Sequence, residues 1–112
     1  MRKSTTILAS LALAAAIAAP VSAEARTPWQ RHHPARTEIN HRIRFQQARI
    51  TQERREGDLT AQEAHSLRRD LHSVRMQERA YADANDNNGH LNRTQVRDLN
   101  RQLNETGRDI GH

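Results

Sequence analysis

The sequence predicts an all-α fold, in which three helices form an elongated up-down-up arrangement behind a disordered N-terminal arm. Apolar residues recur at helical spacings of three, four and seven in three separate stretches after residue 37. Two of these stretches begin with a helix-capping sequence. The connections between them are short, which favours antiparallel neighbours.

The first 23 residues have the organisation of a secretory signal peptide. Arg2 and Lys3 precede an apolar stretch from 7 to 19, and small residues lead to Ala23, after which we expect cleavage. The apolar stretch is shorter than the roughly 20 residues of a membrane-spanning helix. No second apolar run follows it. The sequence therefore predicts a periplasmic or secreted protein with no transmembrane segment after cleavage.

Composition limits what the exported chain can build. Arg2 and Lys3 leave with the signal, so the formal charge falls from +5 to +3, and the remaining basic residues are all arginine. The chain contains no cysteine, which excludes disulfides and thiolate metal sites. A chain this short with three aromatic residues has a thin core. Small helical proteins of this kind often gain stability from a partner, which makes a homodimer plausible.

The domain organisation follows from the positions of the breakers. Residues 24–36 contain Pro28 and Pro34 and show no periodicity, which predicts a flexible arm before a helical domain over 37–112. The first helix is predicted over 37–56 and ends at Gly57 as a C-cap. Its apolar stripe consists of Ile39, Ile43 and Ile50.

The second helix, predicted over 60–84, begins with a capping box in which Thr60 and Glu63 each satisfy a free backbone amide. The third, predicted over 92–109, repeats this box with Asn92 and Gln95, and Gly107 is expected to loosen its end. The second apolar seam comprises Ala64, Leu67, Leu71, Val74 and Tyr81, and the third comprises Val96, Leu99, Leu103 and Ile110.

These two helix starts are related by an offset of 32 residues. The offset matches Gly57 with Gly89 and Leu59 with Leu91, and it matches the two capping boxes. Leucines later in the two helices also coincide. This pattern indicates a tandem helical repeat.

The stretch DANDNNGHLNRTQ, residues 83–95, resembles the calcium loop of an EF-hand. With Gly89 at the sixth position, Asp86 and Asn88 fall at the third and fifth, where oxygen ligands belong. The first position then lacks an oxygen ligand, and the twelfth is Gln95, which lacks the bidentate carboxylate. We expect weak Ca²⁺ binding at most, with the candidate ligands Asp83, Asp86, Asn88 and Gln95. The alternative that we favour is an Asn-rich turn followed by a capped helix.

The sequences LTAQE at 59–63 and LNRTQ at 91–95 resemble the LTxxQ motif. That motif occurs twice in small periplasmic helical proteins of envelope stress, which include Spy-like chaperones and CpxP-like adaptors. Glu63 stands in place of the first Gln and Asn92 in place of the second Thr. The resemblance covers about residues 37–110. It implies an all-α, often dimeric protein with a basic surface and no cofactor-dependent chemistry.

Arginines form two stripes at helical spacing. One stripe on the third helix comprises Arg93, Arg97 and Arg101, and one on the second comprises Arg68, Arg75 and Arg79. Such stripes suit anionic partners, although solvated surface is the alternative. The interleaved acids and the predicted compartment argue against nucleic acid.

No catalytic motif is present, so the sequence predicts a non-enzymatic protein without a cofactor. The leading function is binding of unfolded or envelope proteins, as a periplasmic stress chaperone or adaptor. The expected surface combines the arginine stripes with seam residues that the core leaves uncovered. One alternative is a divalent-cation module at residues 83–95, and another is a structural protein bound to an anionic envelope surface.

Overall fold

The structure is a computed structural model that describes residues 26–84 and 88–111. The predicted signal peptide lies outside the described residues. The described part of the chain contains four helices and no strand, which confirms the all-α fold. The helices are α1 (Pro28–His32), α2 (Pro34–Arg55), α3 (Ala61–Ala84) and α4 (Arg93–Gly111).

The chain divides into two compact units, the first ending at His32 and the second beginning at His33. In the first unit, α1 starts with a capping box that the sequence reading overlooked. Gln30 N donates to Thr27 Oγ1 at 3.2 Å, and Thr27 N donates to Gln30 Oε1 at 2.8 Å. Pro28 occupies the first helical position, where a missing amide hydrogen costs nothing.

The second unit consists of α2, α3 and α4, each packed against the other two. Arg36 near the start of α2 contacts Glu78 near the end of α3, while Thr51 contacts Arg68, so these helices run antiparallel. Along α2, Arg42 contacts Asn100 of α4 and the later Arg49 lies beside Gly111 at the end of α4, so α2 and α4 are parallel. This is the predicted up-down-up order.

The helix bounds differ from prediction at two places. The arm predicted over 24–36 is helical at Pro28–His32 and again from Pro34, because each proline pre-sets the backbone angle of a first helical turn. At the other end, α4 continues through Gly107 to Gly111. Burial of Ile110 in the core sustains that last turn.

The core contains the predicted seams with few exceptions. Tyr81 and Val96 are only half-buried. Three polar side chains that were not predicted in the core are buried there, namely Gln46, Glu78 and Thr106. The buried apolar residues are Ile39, Ile43, Ile50, Leu59, Ala64, Leu67, Leu71, Val74, Ala82, Leu99, Leu103 and Ile110.

Both turns of the tandem repeat use a glycine with positive φ, 82° at Gly57 and 80° at Gly89. At the first turn, Asp58 N donates to Glu53 O and Gly57 N donates to Arg54 O, at 2.9 and 3.2 Å. These two bonds form the Schellman motif, which satisfies carbonyls at the end of α2.

Candidate functional site

The capping boxes form as predicted, and one of them uses the side chain of Gln95, a candidate metal ligand. Gln95 N donates to Asn92 Oδ1 at 2.8 Å, and Asn92 N donates to Gln95 Oε1 at 2.9 Å. The matching box links Thr60 and Glu63 at 2.8 and 3.0 Å. The side-chain oxygen of Gln95 therefore already accepts a backbone hydrogen bond.

The remaining candidate metal ligands are not brought together in the described residues. Asp83 is exposed in the last turn of α3, and Asn88 is exposed with a left-handed φ of 54°. Asp86 lies outside the described residues. No group of three His, Cys, Asp or Glu side chains within residues 26–84 and 88–111 is placed to hold a metal ion. Weak Ca²⁺ binding by this stretch stays a prediction.

The arginines of α3 line its flank nearest α2. Arg68 Nη2 donates to Thr51 Oγ1 of α2 at 3.3 Å, and Arg75 and Arg79 follow at helical spacing on the same flank. Neither Arg75 nor Arg79 has an acidic partner among the described residues. We call Arg68, Arg75 and Arg79 the basic face.

The arginines of α4 lie on a different surface. Asn100 and Asn104 accept hydrogen bonds from Arg42 of α2, whereas Asp98 and Gln102 contact α3. Positions 93, 97 and 101 are exposed, and the last two lie between those contact rows, on the outer side of α4. The two stripes therefore do not join into one surface.

A polar network reduces the free charge of the α4 stripe. Tyr81 Oη donates to Asp98 Oδ2 at 2.6 Å, and Arg101 pairs with both Asp98 and Glu105. The hydrogen bond from Tyr81, and then that from Arg101, lowers the pKa of Asp98. The same bond to Asp98 is the main cause that raises the pKa of Tyr81. Arg101 is thus engaged by acids of its own helix, and its role in partner binding stays a prediction.

A buried ion pair was missed by sequence reasoning. Glu78 is 1% exposed, and its Oε2 accepts a hydrogen bond from Arg36 Nε at 2.8 Å. Arg36 Nη1 also reaches the carbonyl of Gly89 at 3.5 Å. The one indication in the sequence is that Glu78 stands at a seam position, between Val74 and Tyr81, where an apolar residue would be expected. Its partner lay in the segment predicted to be the arm.

The start of α2 also contacts the turn before α4. The rings of His33 and His90 stack with centroids 4.7 Å apart, and His33 Nε2 lies 3.1 Å from the carbonyl oxygen of Asn88. These contacts, together with Arg36, attach Asn88–His90 to α2. The Asn-rich turn has a structural role in the second unit.

Most of the predicted seam is buried, apart from the half-buried Tyr81 and Val96, so a contribution of seam residues to a binding surface stays a prediction. Leu67, Leu71, Leu99 and Leu103 are at most 6% exposed, because the three helices cover one another's apolar stripes. The large apolar side chains that are exposed in the described residues are Trp29 and Met76. Within those residues, no helix has the length and apolar composition needed to cross a membrane.

No protein-family model, curated protein or solved structure matches this chain.

Proposed function

We propose that this protein is an exported, non-enzymatic binding protein that holds an acidic segment of an unfolded or envelope protein against the basic face. The observation that carries the proposal is that Arg75 and Arg79 lie on one flank of α3 without acidic partners in the described residues. An arginine without an internal partner retains its donors for an external carboxylate.

The dimensions of the basic face indicate the length of the bound segment. Arg68 and Arg79 are separated by 11 positions, which corresponds to about 16 Å along a helix. An extended chain covers that distance with roughly five residues. A short acidic stretch of an unfolded protein would therefore pair with all three arginines. The resemblance of LTAQE and LNRTQ to the LTxxQ motif supports a chaperone or adaptor role.

Binding to an anionic envelope surface is the second candidate, and one observation favours it. Met76 is 48% exposed and lies one turn before Arg79. An exposed apolar side chain beside a cation suits the interface of an anionic membrane. This candidate uses the same helix but predicts lipid rather than protein as the partner.

A charge-reversal experiment tests the proposal. Arg75→Glu combined with Arg79→Glu is compared with a matched control, Arg93→Glu combined with Arg97→Glu, which makes the same change in net charge on α4. Binding to an unfolded acidic client is measured by suppression of its aggregation and by titration of a labelled acidic peptide. Circular dichroism establishes that both variants remain folded.

We expect the basic-face variant to bind the acidic peptide at least about tenfold more weakly, which corresponds to about 1.4 kcal/mol. The control should change binding by less than about threefold, or 0.7 kcal/mol. Equal weakening in both variants would show that net charge alone attracts the peptide, and no weakening in either would refute the proposal. Binding to vesicles of anionic lipid but not to acidic peptide would establish the second candidate.

A further inference from the structure

A groove runs between α3 and α4, on the flank of α3 opposite to the basic face. Its two cavities share Asp70 and Asp109, so the groove is continuous. Its apolar lining comprises Leu59, Leu67 and Val74. The charged residues that line it in the described part of the chain are all acidic, namely Glu63, Asp70, Glu105 and Asp109. We call it the acidic groove.

Three of the four carboxylates in the groove already have interactions within the protein. Glu63 accepts the backbone hydrogen bond of its capping box, and Asp109 is also engaged. Glu105 pairs with Arg101 at 3.3 Å on the outer side of α4. Asp70 has no ion-pair or hydrogen-bond partner within the described residues. Among residues 26–84 and 88–111, no arginine or histidine lines the groove. A cationic side chain entering it would meet carboxylates on both walls.

The spacing of charges in the groove matches that of the basic face. Glu63 and Asp70 are seven residues apart on one wall, as are Arg68 and Arg75, about 10.5 Å in each pair. Glu105 and Asp109 are four residues apart on the other wall, as are Arg75 and Arg79, about 6 Å in each pair. One α3 helix thus carries arginines on one flank and borders complementary carboxylates on the other.

We infer that the acidic groove binds the basic face of a second copy of this chain. The contact is heterologous, because each copy contributes a different surface. Each bound copy keeps one unused groove or one unused face, so association would extend head to tail rather than stop at a symmetric dimer. The charge complementarity of the two surfaces identifies the occupant as a second copy.

This self-association has a consequence that rests on the proposed function. A neighbouring copy and an acidic client would compete for the same arginines. In an assembly, the groove of a neighbouring copy would cover the basic face. An acidic client that binds the basic face in its place would release single copies.

Charge-swap variants test the contact. The purified protein is studied by sedimentation velocity over a range of concentrations, at low salt and in 1 M salt, where the Debye length falls to about 3 Å. One variant combines Asp70→Arg with Asp109→Arg, and the other combines Arg75→Glu with Arg79→Glu. The control combines Arg93→Glu with Arg97→Glu, and circular dichroism verifies the fold of each.

We expect the average mass of the native protein to increase with concentration at low salt and to return to that of a single copy in 1 M salt. Each swap variant alone should weaken association at least tenfold, because its two surfaces then carry the same charge. Mixing the two swap variants should restore association, since both contacts become complementary again. The control should associate as the native protein does. Asp70→Asn alone, a milder change, should weaken association in the same direction.

A native protein that stays a single copy at low salt, or a mixture of swap variants that does not associate, would overturn the inference. Neither result depends on an acidic client. Loss of peptide binding by the basic-face variant, without any self-association of the native protein, would leave the proposed function standing and refute the groove contact.

Discussion

Replacing Arg36 by methionine tests how strongly the buried ion pair holds α2 against α3. Methionine keeps most of the aliphatic volume and removes the guanidinium, which leaves the Glu78 carboxylate 1% exposed without its cation. Removing one partner of a buried pair typically costs about 3–5 kcal/mol. Arg36 is itself 18% exposed, so water gains some access to the carboxylate, and we expect about 3 kcal/mol.

The assay is urea denaturation followed by far-UV circular dichroism at pH 7. A companion variant, Arg36→Met with Glu78→Met, removes both charges and should lie within about 1 kcal/mol of the native protein. For a domain of this size, the single variant should also lower Tm by more than about 10 °C. A loss below 1 kcal/mol at pH 7, or equal losses in the single and double variants, would refute the reasoning.

Two further predictions concern the polar network and the first turn. Asp98 has a lowered pKa in the folded protein, so its stabilisation is present above the unfolded value of about 3.9 and is lost as pH falls through the folded value. Tyr81 has a raised pKa, so its contribution to stability is present below about pH 10 and is lost in stronger alkali. Tyr81→Phe removes the hydrogen bond to Asp98 and should therefore flatten the pH dependence of Tm at both the acid and the alkaline end. An unchanged pH profile of Tm would contradict this prediction. At Gly57, φ is 82°, and an added Cβ would meet nothing within 4 Å. Gly57→Ala should therefore lower the free energy of unfolding in urea by about 1–2 kcal/mol, from backbone strain alone. An unchanged free energy of unfolding would contradict the left-handed conformation of Gly57.

Features of the fold could be predicted from the sequence where they depend on residues only a few positions apart. The capping boxes at Thr60 and Asn92 were predictable because each involves residues three positions apart. The same rule would have found α1, since Thr27, Pro28 and Gln30 form the identical pattern. Proline can break a helix or begin one, and in this segment both prolines stand at helix starts.

Contacts between distant residues were beyond the reach of these rules. Arg36 and Glu78 are 42 positions apart, and neither residue type predicts burial by itself. The basic face was predictable from spacing within one helix. The acidic groove was not, because Asp70 and Asp109 become neighbours only when α3 and α4 pack in one particular register.

The buried amide of Gln46 favours one alignment of α2 against α4. Gln46 Nε2 donates to the carbonyl oxygen of Leu103 at 2.9 Å, and a Cβ at Gly107 would lie only 3.1 Å from that nitrogen. Leucine stripes slide past one another at little cost, whereas an amide fits only where the opposite helix lacks a side chain. Its Oε1 is buried without a hydrogen-bond partner among the described residues, so the arrangement sacrifices some stability. The contact between Gln46 and Gly107 disfavours other alignments of α4 against α2. A heptad pattern by itself permits several such alignments, so this polar contact favours one of them.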